Sequence, residues 1–463
     1  MTDKKPSGFL WGGRFAGKPA RELREYTFSL PVDRRLALHD VTGSIAHAKM
    51  LGATGIIGAA EARKIARGLE KVASEMREGR FVFKADDEDI HTAVERRLVE
   101  IVGTAGEKLH TARSRNDQIV LDEKLFLKEE LAFLSAALRD LQRALAGAAR
   151  RVYPVLMPAY THLQRGQPIL ASYHLLAYCE MIERDRGRLA DCLRRLDVLP
   201  LGVGACCGTT LPTDREFLRK ELGFAAVSRN GLDTVGDRDF LIETAAVCAV
   251  FMVHVSRLAE DLVLWATPEF GYIELPEAFC TGSSMMPQKK NPDVPELARG
   301  KAAAVIAALN GLCILAKGLP LSYNRDLQED KRHLFVALEE TFATAKVFAA
   351  MLPGVVFIKK RMEEAAGSSF TTTTDLAEYL VTRGVPFRQA HRICGNMVRY
   401  CLEKGKDFKD LSLEELKAFA PGFGADVRER LKADVSVRLK QSAGGTSHVH
   451  VEKELKRWER LLK

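Results

Sequence analysis

Leu127, Leu131, Leu134, Leu138, Leu141 and Leu145 recur at alternating spacings of four and three. On a helix of 3.6 residues per turn these six side chains form one stripe, and a stripe that long needs other helices to cover it. Residues 239–266 are apolar on nearly every face, interrupted mainly by Glu243, His254, Arg257, Glu260 and Asp261. Segments 297–318 and 331–352 repeat the pattern. Period-two alternation is scarce, and no GxGxxG follows a strand-like run. The chain therefore reads as all-α, with a central bundle of long helices over 113–362. Residues 1–112 carry shorter helical segments broken by "GATGIIG" and "REGRFVFKADDED". Residues 363–463 form a small helical domain behind "GSSFTTTTD", where Thr374 or Asp375 is placed to cap a helix. Helices apolar nearly all round need more partner surface than one chain offers, so a homo-oligomer built through the bundle is expected.

A chain of 463 residues can bury a large core or two to three smaller ones. Its net charge of +8 is dispersed and not interleaved with aromatics, which disfavours nucleic acid as a partner. The nine cysteines form no CxxC pair and suit a reducing cytosol. "MTDKKPSGFLWGGRF" has no apolar signal core, and the uncharged run between Lys301 and Lys317 has 15 residues, short of the roughly 18–20 that span a bilayer. A cytoplasmic protein without a membrane anchor is the expectation.

Polar residues concentrate at the borders of the helical stretches. "YTHLQRGQP" (160–168) sets His162 beside Thr161, suited to proton transfer near neutral pH or simply to a capped helix start. "HTARSRNDQ" (110–118) offers Arg113, Arg115 and Asn116, as carboxylate forks or as a basic helix entry. "GSSMMPQKKNPDVPE" (282–296) places a glycine and two hydroxyls ahead of Lys289, Lys290 and Asn291. Loop amides and a lysine can hold a developing oxyanion there, or merely bind an anion. "SYNRDLQEDK" (322–331) is a fourth such stretch. His448 and His450 lack a third metal ligand in reach by sequence, and "DDED" (86–89) reads as a solvated turn in preference to a magnesium site.

These stretches, with "LWGGRF" (10–15), resemble in order and over nearly the whole chain the argininosuccinate lyase/delta crystallin family of the fumarase/aspartase superfamily. The "QKKNPD" form of the loop separates it from fumarases, aspartases and adenylosuccinate lyases. The resemblance implies three mostly helical domains (1–112, 113–362, 363–463) and a homotetramer around a twenty-helix core. It implies active sites built from three chains, a small-molecule substrate, and no cofactor or metal. The implied reaction is β-elimination of argininosuccinate to arginine and fumarate through an aci-carboxylate carbanion. Position by position, it implies Ser283 as the base, with Lys289 and Asn291 steadying the carboxylate. His162, oriented by Glu296, serves the leaving group, and which of Ser283 and His162 is acid or base stays open. Ser29, Asn116, Thr161, Tyr323, Gln328 and Lys331 match substrate contacts; Asp33, Asp89, His91, Arg115 and Ser284 match supporting positions. Three departures stand out: Ala112 where many members have glycine, the Cys206–Cys207 pair, and the tail after Gly-Gly-Thr. The rival readings are a catalytically silent crystallin and a related lyase acting on another amino-succinate.

Overall fold

The computed structural model describes residues 20–463, so "LWGGRF" lies outside the described residues. Five long helices dominate: Arg115–Val152, Ala171–Leu196, Asp239–Ala266, Asp293–Ala316 and Asp330–Met351. All six leucines of the Leu127–Leu145 stripe are at most 2% exposed. Asp293–Ala316 starts earlier than the apolar pattern suggests, with Pro295 in its first turn. Proline is tolerated there because first-turn amides have no intrahelical acceptor.

The described chain divides into two compact units. The first holds residues up to Ala132, Ala190–Ala246 and Ala307–Val336; the second holds Phe133–Leu189, Val247–Ile306 and Ala337–Lys463. Each long helix gives one stretch to each unit. In the first unit, Ala37–Ala53, Ala59–Arg77 and Ile90–Val102 pack around Met50, Leu51, Ile65, Leu69, Ile90 and Leu98, all buried. Gly68 lets two of these helices touch: a Cβ there would sit 2.6 Å from Val102 and 2.7 Å from Leu98. In the second unit, Thr373–Thr382 and Phe387–Lys404 close a separate apolar cluster with Phe408, Leu416 and Phe423. Helix Thr373–Thr382 begins before the expected cap, at Thr372 and with no side-chain cap bond. Asp375 lies inside its first turn and instead accepts bonds from Ser436 Oγ (2.7 Å) and Lys440 Nζ (3.0 Å).

Strands are few and short. The longest pair, Leu156–Thr161 and Gln164–Leu170, forms an antiparallel hairpin in register Thr161↔Gln164. By length and composition alone, Asp239–Ala266 and Asp293–Ala316 could each cross a bilayer. Both belong to the helical set above; the first is 56% buried over its apolar window, as core helices of soluble proteins are, and the second 28%.

Candidate active site

The first unit gathers one cavity of about 120 Å³, lined by Ser29, His91, Arg115, Asn116, Tyr323, Gln328 and Lys331, with Asp33, Glu88, Asp89, Arg238 and Arg325. Asp89 caps helix Ile90–Val102 by accepting from the Thr92 amide and hydroxyl, both at 2.7 Å. The same carboxylate takes Arg115 Nη1 at 2.8 Å, and Arg115 also donates to Thr92 Oγ1 at 3.0 Å. "DDED" is a solvated turn only at Asp86, which is exposed; Asp87, Glu88 and Asp89 are buried, and arginines from elsewhere in the chain neutralise them. Arg96 holds Asp87, while Arg115 and Arg325 hold Glu88. Arg325 and Gln328 also donate to the Thr27 carbonyl, each at 3.0 Å.

Beneath the cavity lies a buried ion network. Lys331 Nζ stands 2.9 Å from Asp330, 3.5 Å from Glu123 and 3.9 Å from Asp33. Arg238 pairs with Asp330 and lies 3.7 Å from Glu123. Burial opposes the lysine's charge, yet these carboxylates hold its pKa above the usual lysine value. Burial and the adjacent Asp330 push Glu123 up to about 7. A network this buried loses heavily if one partner is removed, so it fixes the Lys331 ammonium in place.

His91 is set by a second group. Its Nδ1 bonds Asp40, with Asp122 Oδ2 at 3.7 Å, and Gln118 donates to Asp40 at 2.7 Å. Burial works against the imidazolium, but Asp40 and Asp89 together outweigh it and raise the His91 pKa. Burial and the Asp40 charge push Asp122 well above the carboxylate range, while His91 and Arg113 hold Asp40 below it despite its burial. These donor types also match a cation site, with three candidate atoms within 4.8 Å of one another. Arg113 and the imidazolium already supply positive charge to the cluster. Cations beside carboxylates and amides give the cavity the character of a zwitterion site.

Ala112, one of the departures noted above, has φ +59°. That left-handed backbone favours glycine. The Ala112→Gly variant should therefore be more stable, by about 1 kcal/mol, read as a raised Tm in a thermal melt. An unchanged or lower Tm would contradict the strain.

The second unit carries the other expected residues. Thr161 and His162 lie not at a helix start but at the hairpin end, with His162 and Leu163 as the turn. Both turn residues have positive φ (55° and 56°). A two-residue turn with left-handed backbone at both positions normally takes Asn-Gly. Holding two larger residues there costs of order 1–3 kcal/mol each, the kind of strain kept at working sites. His162 is exposed at the edge of a cleft of about 1570 Å³.

The 282–291 loop is closed at its neck. The Asn291 amide donates to the Thr281 carbonyl at 2.8 Å, and Asp293 accepts from the Thr281 amide at 2.7 Å. Ser283 Oγ accepts from the amides of Met286 (3.1 Å) and Met285 (3.3 Å). Two amides on one hydroxyl oxygen favour negative charge there. Lys289 and Lys290, in the same loop, are exposed. Among the described residues no hydrogen bond joins Glu296 to His162; Glu296 lies 3.7 Å from Arg299. Neither the small cavity nor the large cleft takes a lining residue from 281–296.

The sequence reading missed Glu88, Glu123, Arg238, Arg325 and Asp330, which complete the cavity and its base. Arg325 and Asp330 sit inside the "YNRDLQEDK" stretch, so that signal was present. Glu123 stands inside helix Arg115–Val152 and Arg238 just ahead of Asp239–Ala266, in sequence that carries none. His448 and His450 take separate partners. His448 faces Asp434 at 3.6 Å, and His450 bonds the Gln441 carbonyl at 2.7 Å.

The chain resembles known proteins along nearly its whole length. A family profile described as "Lyase" matches residues 13–307, and one described as "Argininosuccinate lyase C-terminal" matches 370–438. The chain is 51% identical to an argininosuccinate lyase of Symbiobacterium thermophilum, over 96% of this chain and 97% of that one. It is 50% identical to an argininosuccinate lyase of Pelotomaculum thermopropionicum, over 98% and 99%. A solved variant of EDDS lyase with bound fumarate superimposes with a TM-score of 0.82 at 27% identity, covering 97% of this chain and 91% of that one.

Proposed function

The chain belongs to the argininosuccinate lyase family, and from that premise we propose how it cleaves argininosuccinate into arginine and fumarate. It is an enzyme of the lyase class acting on a small molecule. The observation that carries the reading is convergence. Ser29, His91, Arg115, Asn116, Tyr323, Gln328 and Lys331 come from four separate stretches of sequence and line one cavity.

In the proposed reaction a proton leaves the carbon beside a carboxylate, and the electrons move into that carboxylate as an aci-carboxylate. The C–N bond then breaks, and the guanidino nitrogen leaves with a proton. Ser283 Oγ takes the first proton, its charge supported by the Met285 and Met286 amides. Lys289 and Asn291 steady the doubly charged carboxylate, which exists only as the bond rearranges. His162, at its strained turn, serves the leaving group, with Glu296 orienting it and Thr161 contacting substrate. Arg115, Asn116, Ser29, Tyr323, Gln328 and Lys331 hold the substrate's charged ends, and Asp40 favours the cationic form of His91 among them.

We assign the working form as a homotetramer whose sites draw on three chains, with domains 1–112, 113–362 and 363–463, in the cytoplasm. Three features support assembly. Only 28% of the apolar window of Asp293–Ala316 is buried within the chain. Leu297, Ile306 and Ile314 on that helix, Val253 on Asp239–Ala266 and Val336 on Asp330–Met351 are exposed. The cleft beside His162 exceeds the roughly 300–1,000 Å³ of a small-ligand pocket.

The test is direct. Purified protein with argininosuccinate should release fumarate, read by its ultraviolet absorbance, together with an equal amount of arginine. Stable tetramers that release none would favour a silent crystallin-like protein. Release from another amino-succinate, with argininosuccinate untouched, would favour a different lyase of the same fold.

A further inference from the structure

The loop from Gly202 to Gly208 carries two adjacent thiols that the reaction does not use. Cys206 Sγ and Cys207 Sγ stand 3.2 Å apart, Cys207 exposed and Cys206 half-buried. Backbone contacts brace the loop. Gly202, Gly204 and Gly208 take φ of +95°, +61° and +78°, turns open to glycine. Asp117 Oδ2 accepts the amides of Gly202 and Gly204, each at 2.9 Å. The Cys206 carbonyl lies against Gly231, where a Cβ would approach it to 2.2 Å. This backbone is tied to the cavity: Asn116 Nδ2 donates to the Ala205 carbonyl at 3.2 Å, and Asn116 lines the cavity wall.

We propose that Cys206 and Cys207 form a dithiol site for trivalent arsenicals, coupled to the substrate cavity through Ala205 and Asn116. Soft sulfur donors select soft thiophilic centres. Two sulfurs already in contact on a braced loop meet one pyramidal arsenic with little ordering cost. With phenylarsine oxide the step is a condensation. The two thiols form two As–S bonds and the arsenic–oxygen bond breaks. The oxygen leaves as water with both thiol protons, and arsenic remains trivalent. The resulting ring fixes the peptide between Cys206 and Cys207 and shifts the Ala205 carbonyl that receives the Asn116 amide.

The test uses full-length reduced protein freed of added thiol and treated with equimolar phenylarsine oxide. Intact mass should rise by one phenylarsenic group per chain, mapped to the 206–207 peptide. Fumarate release should fall by about tenfold or more, because a misplacement of order 1 Å in a positioning group has effects of that size. A dithiol such as 2,3-dimercaptopropanol should restore it, and a monothiol at the same concentration should not. Cys206→Ser and Cys207→Ser should each keep untreated activity and lose both adduct and inhibition. No adduct, an adduct on other cysteines, or an adduct with full activity would overturn the proposal. The inhibition arm rests on the lyase reading. The mass arm does not, so untreated protein that releases no fumarate tells against that reading alone.

Discussion

Ser283→Ala should lower kcat for argininosuccinate cleavage by roughly 10²–10⁴-fold while leaving KM nearly unchanged. The Ser283 oxygen is held by the Met285 and Met286 amides in a loop closed by Thr281 and Asn291. Those contacts do little for bound substrate and much for an oxygen gaining or sharing a proton. The loss therefore falls on the chemical step. The serine side chain is one of several polar groups on an exposed loop, so its truncation leaves the buried cores intact. Steady-state kinetics and a thermal melt of the same preparation separate the outcomes. A variant with near-normal kcat would remove Ser283 from the chemistry. A variant with a raised KM and normal kcat would make it a binding group only.

Much of the fold was legible because helical periodicity is a strong signal over long stretches. The Leu127–Leu145 stripe and the apolar 239–266 segment could hardly be anything but packed helices, and both are. The hairpin was not legible. Its turn is His162–Leu163 in place of Asn-Gly, and "YTHLQRGQP" shows no alternation. Local strain there overrides the usual turn chemistry, and a single sequence carries no trace of it. "DDED" failed for a different reason. The burial of Asp87, Glu88 and Asp89 depends on Arg96, Arg115 and Arg325, the last more than 200 residues away. Charge reads as solvation until such partners are known. The site residues were visible as four polar stretches, yet periodicity could not bring them together; only the fold shows which of them share a wall.

The second large effect concerns where one site's groups come from. Within the chain, His162 stands at a hairpin turn and Ser283 on a loop, with no bond between them among the described residues. If a working site takes them from different chains of a tetramer, two dead variants should repair each other. Ser283→Ala and His162→Asn are each expected to be nearly inactive, since an amide cannot exchange a proton near neutral pH. Mixed in equal amounts, unfolded together and reassembled, they form hybrids by random assortment. One half times one half of the sites, about a quarter, then combine a wild-type Ser283 with a wild-type His162. Fumarate release should return to about that fraction of the wild-type rate, with hybrid composition checked by native mass measurement. A site held within one chain could never recover, because every chain carries one lesion. Confirmed hybrid tetramers that stay as inactive as their parents would contradict the shared site.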